Sequence, residues 1–104
     1  MTKYHAVGSD WSEGEDICSF DELEALGCPV EWKWEGEAVD ADAVSVTDTL
    51  AEAKRIAGDF SLTRVLAIDW DIVSEERVTG TNSEGYSIAY GHIPAEAIIE
   101  IITI

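Results

Sequence analysis

The 104-residue sequence predicts an α+β fold: a single compact domain over residues 1–104, with a mostly antiparallel or mixed sheet and two short helices. Ser19 and Thr49 predict the helices, because each is followed three residues later by a glutamate in a capping-box pattern and opens a run with apolar residues at helical spacing. Short runs rich in β-branched and aromatic residues predict the sheet. The order of these elements lacks the repeated strand–helix crossovers of a doubly wound fold.

The amino-terminal part of the chain is predicted to combine short strands with acidic loops. A first strand covers residues 4–8, and a polar loop follows over 8–16. A capped helix is expected over about 20–26. Strict alternation of polar and apolar residues over 30–35 predicts a half-buried strand, and 36–42 has the composition of an acidic turn.

The middle of the chain is predicted to hold a strand, a helix and a second strand. Residues 43–47 have the pattern of a buried strand, and the helix that Thr49 opens ends at Gly58. An apolar block predicts a strand over 64–70. We expect Asp69 and Asp71, two residues apart, to lie on one solvated face of that strand.

Strands and turns are predicted for the last third of the chain. Residues 79–85 are rich in turn formers, 86–90 alternate as a strand, and Pro94 favours one short helical turn. His92 is expected in a turn. The isoleucine-rich segment 98–104 is predicted to be a strand paired inside the sheet, since an exposed strand of this composition aggregates; it could also pair across a dimer.

The charge of the chain is strongly negative. Twenty-two Asp and Glu face six Lys and Arg, for a formal net charge of −16, yet 46% of the residues are hydrophobic, so the composition is not that of a disordered acidic tail. Such a surface repels nucleic acid and anionic membranes, and favours basic partners, cations or a salty medium. The segment 10–42 holds twelve of the acidic residues and a single basic one, Lys33.

This acidic segment predicts a non-catalytic interaction protein that binds a basic protein surface and needs no cofactor. A salt-loving host accounts for the same charge without any partner. The predicted partner-binding residues are Asp10, Trp11, Glu13, Glu15, Asp16, Glu35, Glu37, Asp40 and Asp42.

The cysteines and the hydropathy of the chain bear on its location. Cys18 and Cys28 flank the first predicted helix, which would hold their Cα atoms more than about 10 Å apart, so we predict no disulfide between them. Neither cysteine has metal-ligand spacing with the other or with either histidine, His5 or His92, and we predict no metal site. The chain shows no signal-peptide pattern and no apolar run of about 18 residues, which predicts a soluble, cytoplasmic protein.

Three short motifs occur along the chain in a suggestive order. Tyr4-His5 stands on the first strand, residues 44–47 (Val-Ser-Val-Thr) lead into a helix with alanines at 53 and 57, and residues 91–98 read Gly-His-Ile-Pro-Ala-Glu-Ala-Ile. In order and spacing over most of the chain, these motifs resemble small ADP-ribosyltransferase-like domains.

The resemblance implies an alternative function, NAD binding with or without ADP-ribosyl transfer. His5 would contact the ribose, and Ser45 and Thr47 would belong to the second element of the site, where the family usually has an aromatic residue that stacks on nicotinamide. Glu84 would be the catalytic glutamate of the third element. The sequence has no glycine-rich phosphate loop to add to these residues.

Overall fold

A computed structural model of the protein describes residues 1–8, 11–27 and 42–104. Its strands are β1 (Thr2–Val7), β2 (Ile17–Cys18), β3 (Ala43–Val46), β4 (Arg64–Asp69), β5 (Thr79–Thr81), β6 (Ser87–Tyr90), β7 (His92–Ile93) and β8 (Ile98–Thr103). Its helices are α1 (Phe20–Ala25), α2 (Leu50–Asp59) and α3 (Trp70–Glu76), and a 3₁₀ turn covers Ala95–Ala97. The structure confirms the α+β class and both predicted helices.

The strands in the described ranges form three antiparallel sheets. The first has the order β1–β4–β8, the second β3–β6–β5, and the third is the pair β2–β7. A bridge between Tyr4 of β1 and Thr47, just after β3, joins the two larger sheets. The radius of gyration, 12.7 Å, agrees with the roughly 13 Å expected for one compact chain of this length.

The central strand β4 divides its side chains between two apolar clusters. Leu66 and Ile68 point into the main core, where side chains of the second sheet such as Val46 meet them. Val65 points to the opposite face and packs against Ala53 and Ala57 of α2. This division follows from the alternation of side chains along a strand, and it leaves Val65, Leu66 and Ile68 without solvent exposure.

Both predicted helix caps form, but only in part. The amide of Glu22 donates to the Ser19 hydroxyl at 3.3 Å, and the amide of Glu52 donates to the Thr49 hydroxyl at 3.2 Å. In a full capping box the glutamate carboxylate accepts from the cap residue's own amide. Here the Ser19 amide donates to the carbonyl of Gly91 instead, at 2.8 Å. The carboxylates of Glu22 and Glu52 are therefore available for tertiary contacts.

The prediction that strand 64–70 carries Asp69 and Asp71 on one face is wrong. The strand ends at Asp69, whose carboxylate accepts from the amide of Asp71 at 3.1 Å and so caps α3. Trp70 and Val73, three residues apart on this unpredicted helix, are both buried. Capping by Asp69 and burial of this face favour a helix over a longer strand.

Strand β8 lies at an edge of its sheet. It pairs with β4 on one side, and in the described parts of the chain no strand pairs with the other side. Ile99 of this strand, which has no opposite residue on β4, is 57% exposed. The prediction that this segment is paired is confirmed, but its position inside the sheet is not, because only one of its two sides finds a partner strand among the described residues.

Other sequence predictions have mixed outcomes. The strands at 4–8, 43–47 and 86–90 are present with small shifts of their ends. His92 lies on β7, paired with Cys18 of β2, rather than in a turn. Cys28, the strand at 30–35 and all of the acidic turn except Asp42 lie outside the described residues. None of the helices described is both long and apolar enough to span a lipid bilayer.

Candidate functional site

The acidic loop of residues 11–16 lies beside strand β8 and forms a groove with it. The groove has a volume of about 420 Å³ and is lined by Trp11, Glu13 and Gly14 of the loop, Ala95 of the 3₁₀ turn, and residues 98–101 of β8. We call it the acidic groove, because its two charged lining residues are Glu13 and Glu100.

Trp11 anchors the loop rather than projecting from it. Its side chain belongs to the main core and is 8% exposed, and its indole NH donates to the carbonyl of Glu15 at 3.2 Å. The Arg64 guanidinium lies over the indole ring, 5.3 Å from its centroid, and donates to the carbonyls of Gly8 and Trp11. These contacts hold the loop against the first residue of β4.

The carboxylates of the loop are exposed, and two of them also stabilise local structure. Glu15 accepts from the amide of Ser12 at 2.9 Å, and Asp16 accepts from the amide of Ala95 at 2.8 Å. Glu13 makes no ion pair with any cation of the described residues. Of the other predicted partner-binding residues, Asp42 is exposed, while those at positions 10, 35, 37 and 40 lie outside the described ranges.

Next to the loop lies a histidine whose partners sequence reasoning missed. The His92 ring donates through Nδ1 to Oε1 of Glu22 at 3.1 Å, and its Nε2 lies 4.0 Å from Oδ2 of Asp16. The capping-box pattern had assigned the Glu22 carboxylate to its own helix. Only the approach of β7 to α1 brings the ring and the carboxylate together.

Glu76 of α3 and Glu96 of the 3₁₀ turn are neighbouring carboxyl groups. The hydrogen bond between Glu76 and Glu96 raises the pKa of Glu76, and the negative charges of Glu75 and Asp16 act in the same direction. The carboxylates of Glu96, Glu75 and Asp16 are thus close enough to Glu76 to disfavour its ionised form.

The residues that the family resemblance points to are only partly brought together. His5 lies within 2.7 Å of the Ser45 carbonyl through Nδ1, and since a carbonyl can only accept, Nδ1 carries the proton. Neighbouring atoms shield the ring, and this burial lowers the pKa of His5 although part of the residue still reaches solvent. The Thr47 hydroxyl donates to the carbonyl of Thr49 at 3.0 Å. Glu84 lies exposed on the β5–β6 turn, and no contact in the described residues joins it to His5.

Metal-binding chemistry finds no support in the part of the chain that the structure describes. Within it, no three His, Cys, Asp or Glu side chains are grouped so that they could hold a metal ion. Two carboxylates lie near His92, and each already accepts a hydrogen bond. Glu22 accepts from the His92 ring, and Asp16 accepts from the Ala95 amide.

Comparison with models of protein families, with curated proteins and with solved structures finds no match for this chain.

Proposed function

We propose that this protein is a non-catalytic interaction protein that binds a basic protein partner, with the acidic groove at the centre of its binding surface. The observation that carries the proposal is that Glu13 and Glu100 both line a groove of about 420 Å³. Further exposed carboxylates of the 11–16 loop lie beside it. A concave surface bearing one sign of charge concentrates the field and attracts the opposite charge.

In the described ranges, no basic side chain forms an ion pair with Glu13 or Glu100. Four of the five basic side chains in those ranges have other partners within the domain: Lys3, Arg55, Arg64 and Arg77. Arg64 and Arg77 donate to backbone carbonyls, and Lys3 pairs with Asp48 under the ring of Trp70. Glu13 and Glu100 are therefore available to pair with the cations of a partner.

The apolar part of the groove supports a protein partner over a simple cation. Trp11, Ile98 and Ile101 contribute apolar surface, and Ile99 is largely exposed beside them. A hydrated cation gains nothing from such surface, whereas a protein segment with apolar and basic side chains can use both.

The test is calorimetric titration with octalysine, with octaglutamate as the reverse-charge control, at roughly 50 and 300 mM NaCl. We expect octalysine to bind at low salt and to weaken strongly at high salt. Replacing two carboxylates in the double variant Glu13→Gln/Glu100→Gln should weaken binding about three- to tenfold. The matched control Glu75→Gln/Glu84→Gln removes the same charge away from the groove and should weaken binding less. Equal losses in the two double variants would show that the groove has no special role.

NAD binding at His5 and Ser45 is the second candidate, favoured by the contact between these two residues. Its test is the thermal unfolding midpoint with and without about 1 mM NAD. A ligand at a hundredfold its dissociation constant stabilises by about 2.7 kcal/mol, which raises the midpoint of a domain of this size by roughly ten degrees. We expect no rise; a rise that His5→Ala abolishes would replace the first proposal with this one.

A further inference from the structure

The outer side of β8 carries backbone groups that have no partner strand among the described residues. The amide of Ile104 donates to the carbonyl of Thr63 at 3.1 Å, so the alternation of an antiparallel ladder directs the amides of Ile102 and Glu100 towards β4 as well. The amides and carbonyls of Ile101 and Thr103 then point away from β4. Such an unpaired row is a template for another strand.

A bulge limits the usable part of this edge. The register of β8 against β4 shifts between Ala67 and Ile68, so Ile99 has no opposite residue. From Glu100 to Thr103 the register is regular. These four residues span about 13 Å, which is enough for a short strand but little for extensive pairing.

The two faces beside this edge differ in chemistry. Ile101 packs on the main core and lines the acidic groove, while Ile102 packs on the α2 side. Glu100, two residues before Ile102, has the parity of that α2 side, so it lines the groove at its rim and not over its floor. An added strand would therefore place alternate side chains over the apolar floor of the groove and the intervening ones near Glu100.

The negative charge of this chain indicates which kind of segment would pair with the outer side of β8. A second copy of this chain would bring another −16 charges, and this like-charge repulsion opposes pairing between copies. A segment with lysine or arginine at every second position instead places cations beside Glu100, and its apolar residues can cover the groove.

We propose that β8 accepts an extended segment of the basic partner as an added strand, in which apolar and basic residues alternate. This inference rests on the proposed function and specifies how the partner is held: main-chain hydrogen bonds to Ile101 and Thr103 bind the segment, and the groove and Glu100 select its alternating side chains.

The test is amide hydrogen exchange of the whole protein, measured by NMR residue by residue. The probe is a seven-residue peptide in which lysine and valine alternate, beginning and ending with lysine. Its control has the same composition with the four lysines in one block and the three valines in another. Both peptides carry the same charge. Only the alternating peptide, as an added strand, places all its valines on one face and all its lysines on the other.

With the alternating peptide we expect the amides of Ile101 and Thr103 to exchange about tenfold more slowly at nine-tenths occupancy, because exchange then proceeds from the free tenth. The amides of Glu100 and Ile102, already bonded to β4, should change little. Methylation of the backbone nitrogens on the side of the peptide that faces β8 should remove the effect while leaving its charges unchanged.

The outcomes separate this inference from the proposed function. If the alternating peptide binds in a salt-dependent way but leaves the exchange of Ile101 and Thr103 unchanged, or if the blocked peptide protects both amides equally, the added strand is refuted and the acidic binding function stands. If neither peptide binds at low salt, both proposals fall.

Discussion

The two edges of the β1–β4–β8 sheet end in different ways. At the β1 edge, Tyr4 and Thr47 exchange two backbone hydrogen bonds, of 3.0 and 2.8 Å, and the second sheet continues from there. At the β8 edge, a bulge and an exposed isoleucine face the acidic groove, and no described strand follows. The second sheet closes the β1 edge, whereas the β8 edge, here called the open edge, has no partner strand among the described residues. Stability and binding are therefore expected to depend on opposite sides of the same sheet.

The largest expected difference lies between the centre of the sheet and its open edge. Leu66→Ala removes a fully buried side chain of β4 and should lower the free energy of unfolding by about 2–5 kcal/mol. Ile99→Ala removes a side chain that is 57% exposed and should change it by no more than about 0.5 kcal/mol. Urea unfolding of both variants measures the difference, and a comparable loss for Ile99→Ala would mean that the bulge contributes to the core.

A smaller difference is expected between two threonines, one at each edge. Thr47 is 4% exposed and its hydroxyl donates to the Thr49 carbonyl, so Thr47→Val should cost about 1 kcal/mol of unfolding free energy. Thr103 on β8 is exposed, and Thr103→Val should leave stability nearly unchanged. The same unfolding experiment applies, and equal effects of the two substitutions would contradict the contrast between the edges.

The pH dependence of the unfolding free energy should have opposite signs for His5, at the β1 edge, and for Glu76 of α3. His5 links β1 to the Ser45 carbonyl, and burial lowers its folded-state pKa below the ordinary value of 6.5. The folded state thus favours the neutral ring, so this contribution to stability is complete above pH 6.5 and is lost as the pH falls through the lower folded-state pKa. Relative to the parent protein, His5→Gln should lose less stability between pH 7.5 and 5, roughly the range over which histidine titrates. Thermal unfolding across this range, with His92→Gln as the control, tests it; parallel curves for parent and His5→Gln would refute it.

The smallest effect belongs to Glu76 of α3, whose carboxyl group neighbours that of Glu96. Its folded-state pKa is raised above the ordinary 4.5 by the hydrogen bond to Glu96, so protonation favours the folded state. The resulting stability is present below pH 4.5 and is lost as the pH rises through the raised pKa. Glu76→Gln keeps a donor for Glu96 without the charge and should flatten this part of the stability curve. An unchanged curve from thermal unfolding between roughly pH 4 and 7 would show that the two carboxyl groups do not share a proton in solution.

Much of the fold could be predicted because its signals are local. Ser19 and Thr49 cap their helices through residues three positions away, and the apolar block of β4 needs no distant partner to be recognised. Helix α3 also had a local signal, the aspartate cap at Asp69 followed by Trp70 and Val73 at helical spacing. The sequence pattern did not predict α3, because the helix begins immediately after the apolar strand and its first residues can be taken as a continuation of that strand.

The candidate site was predictable only in part. The negative charge and the exposed carboxylates of the 11–16 loop follow from composition alone, since charged side chains remain in water. That Trp11 anchors this loop does not, because its position depends on Arg64, more than fifty residues away in the chain.

The sequence by itself determined the α+β class, the helix caps, the strand-forming segments and the acidic surface, all of which arise from interactions over a few residues or from composition. Only the tertiary structure decided that Glu22 meets His92 across 70 residues and that Tyr4 and Thr47 close one edge of a sheet. It also decided that β8, beside Glu13 and Glu100, has a partner strand on only one side within the described parts of the chain. The physical reason is that a strand's own residues set its tendency to pair, while the rest of the chain decides which of its two sides finds a partner.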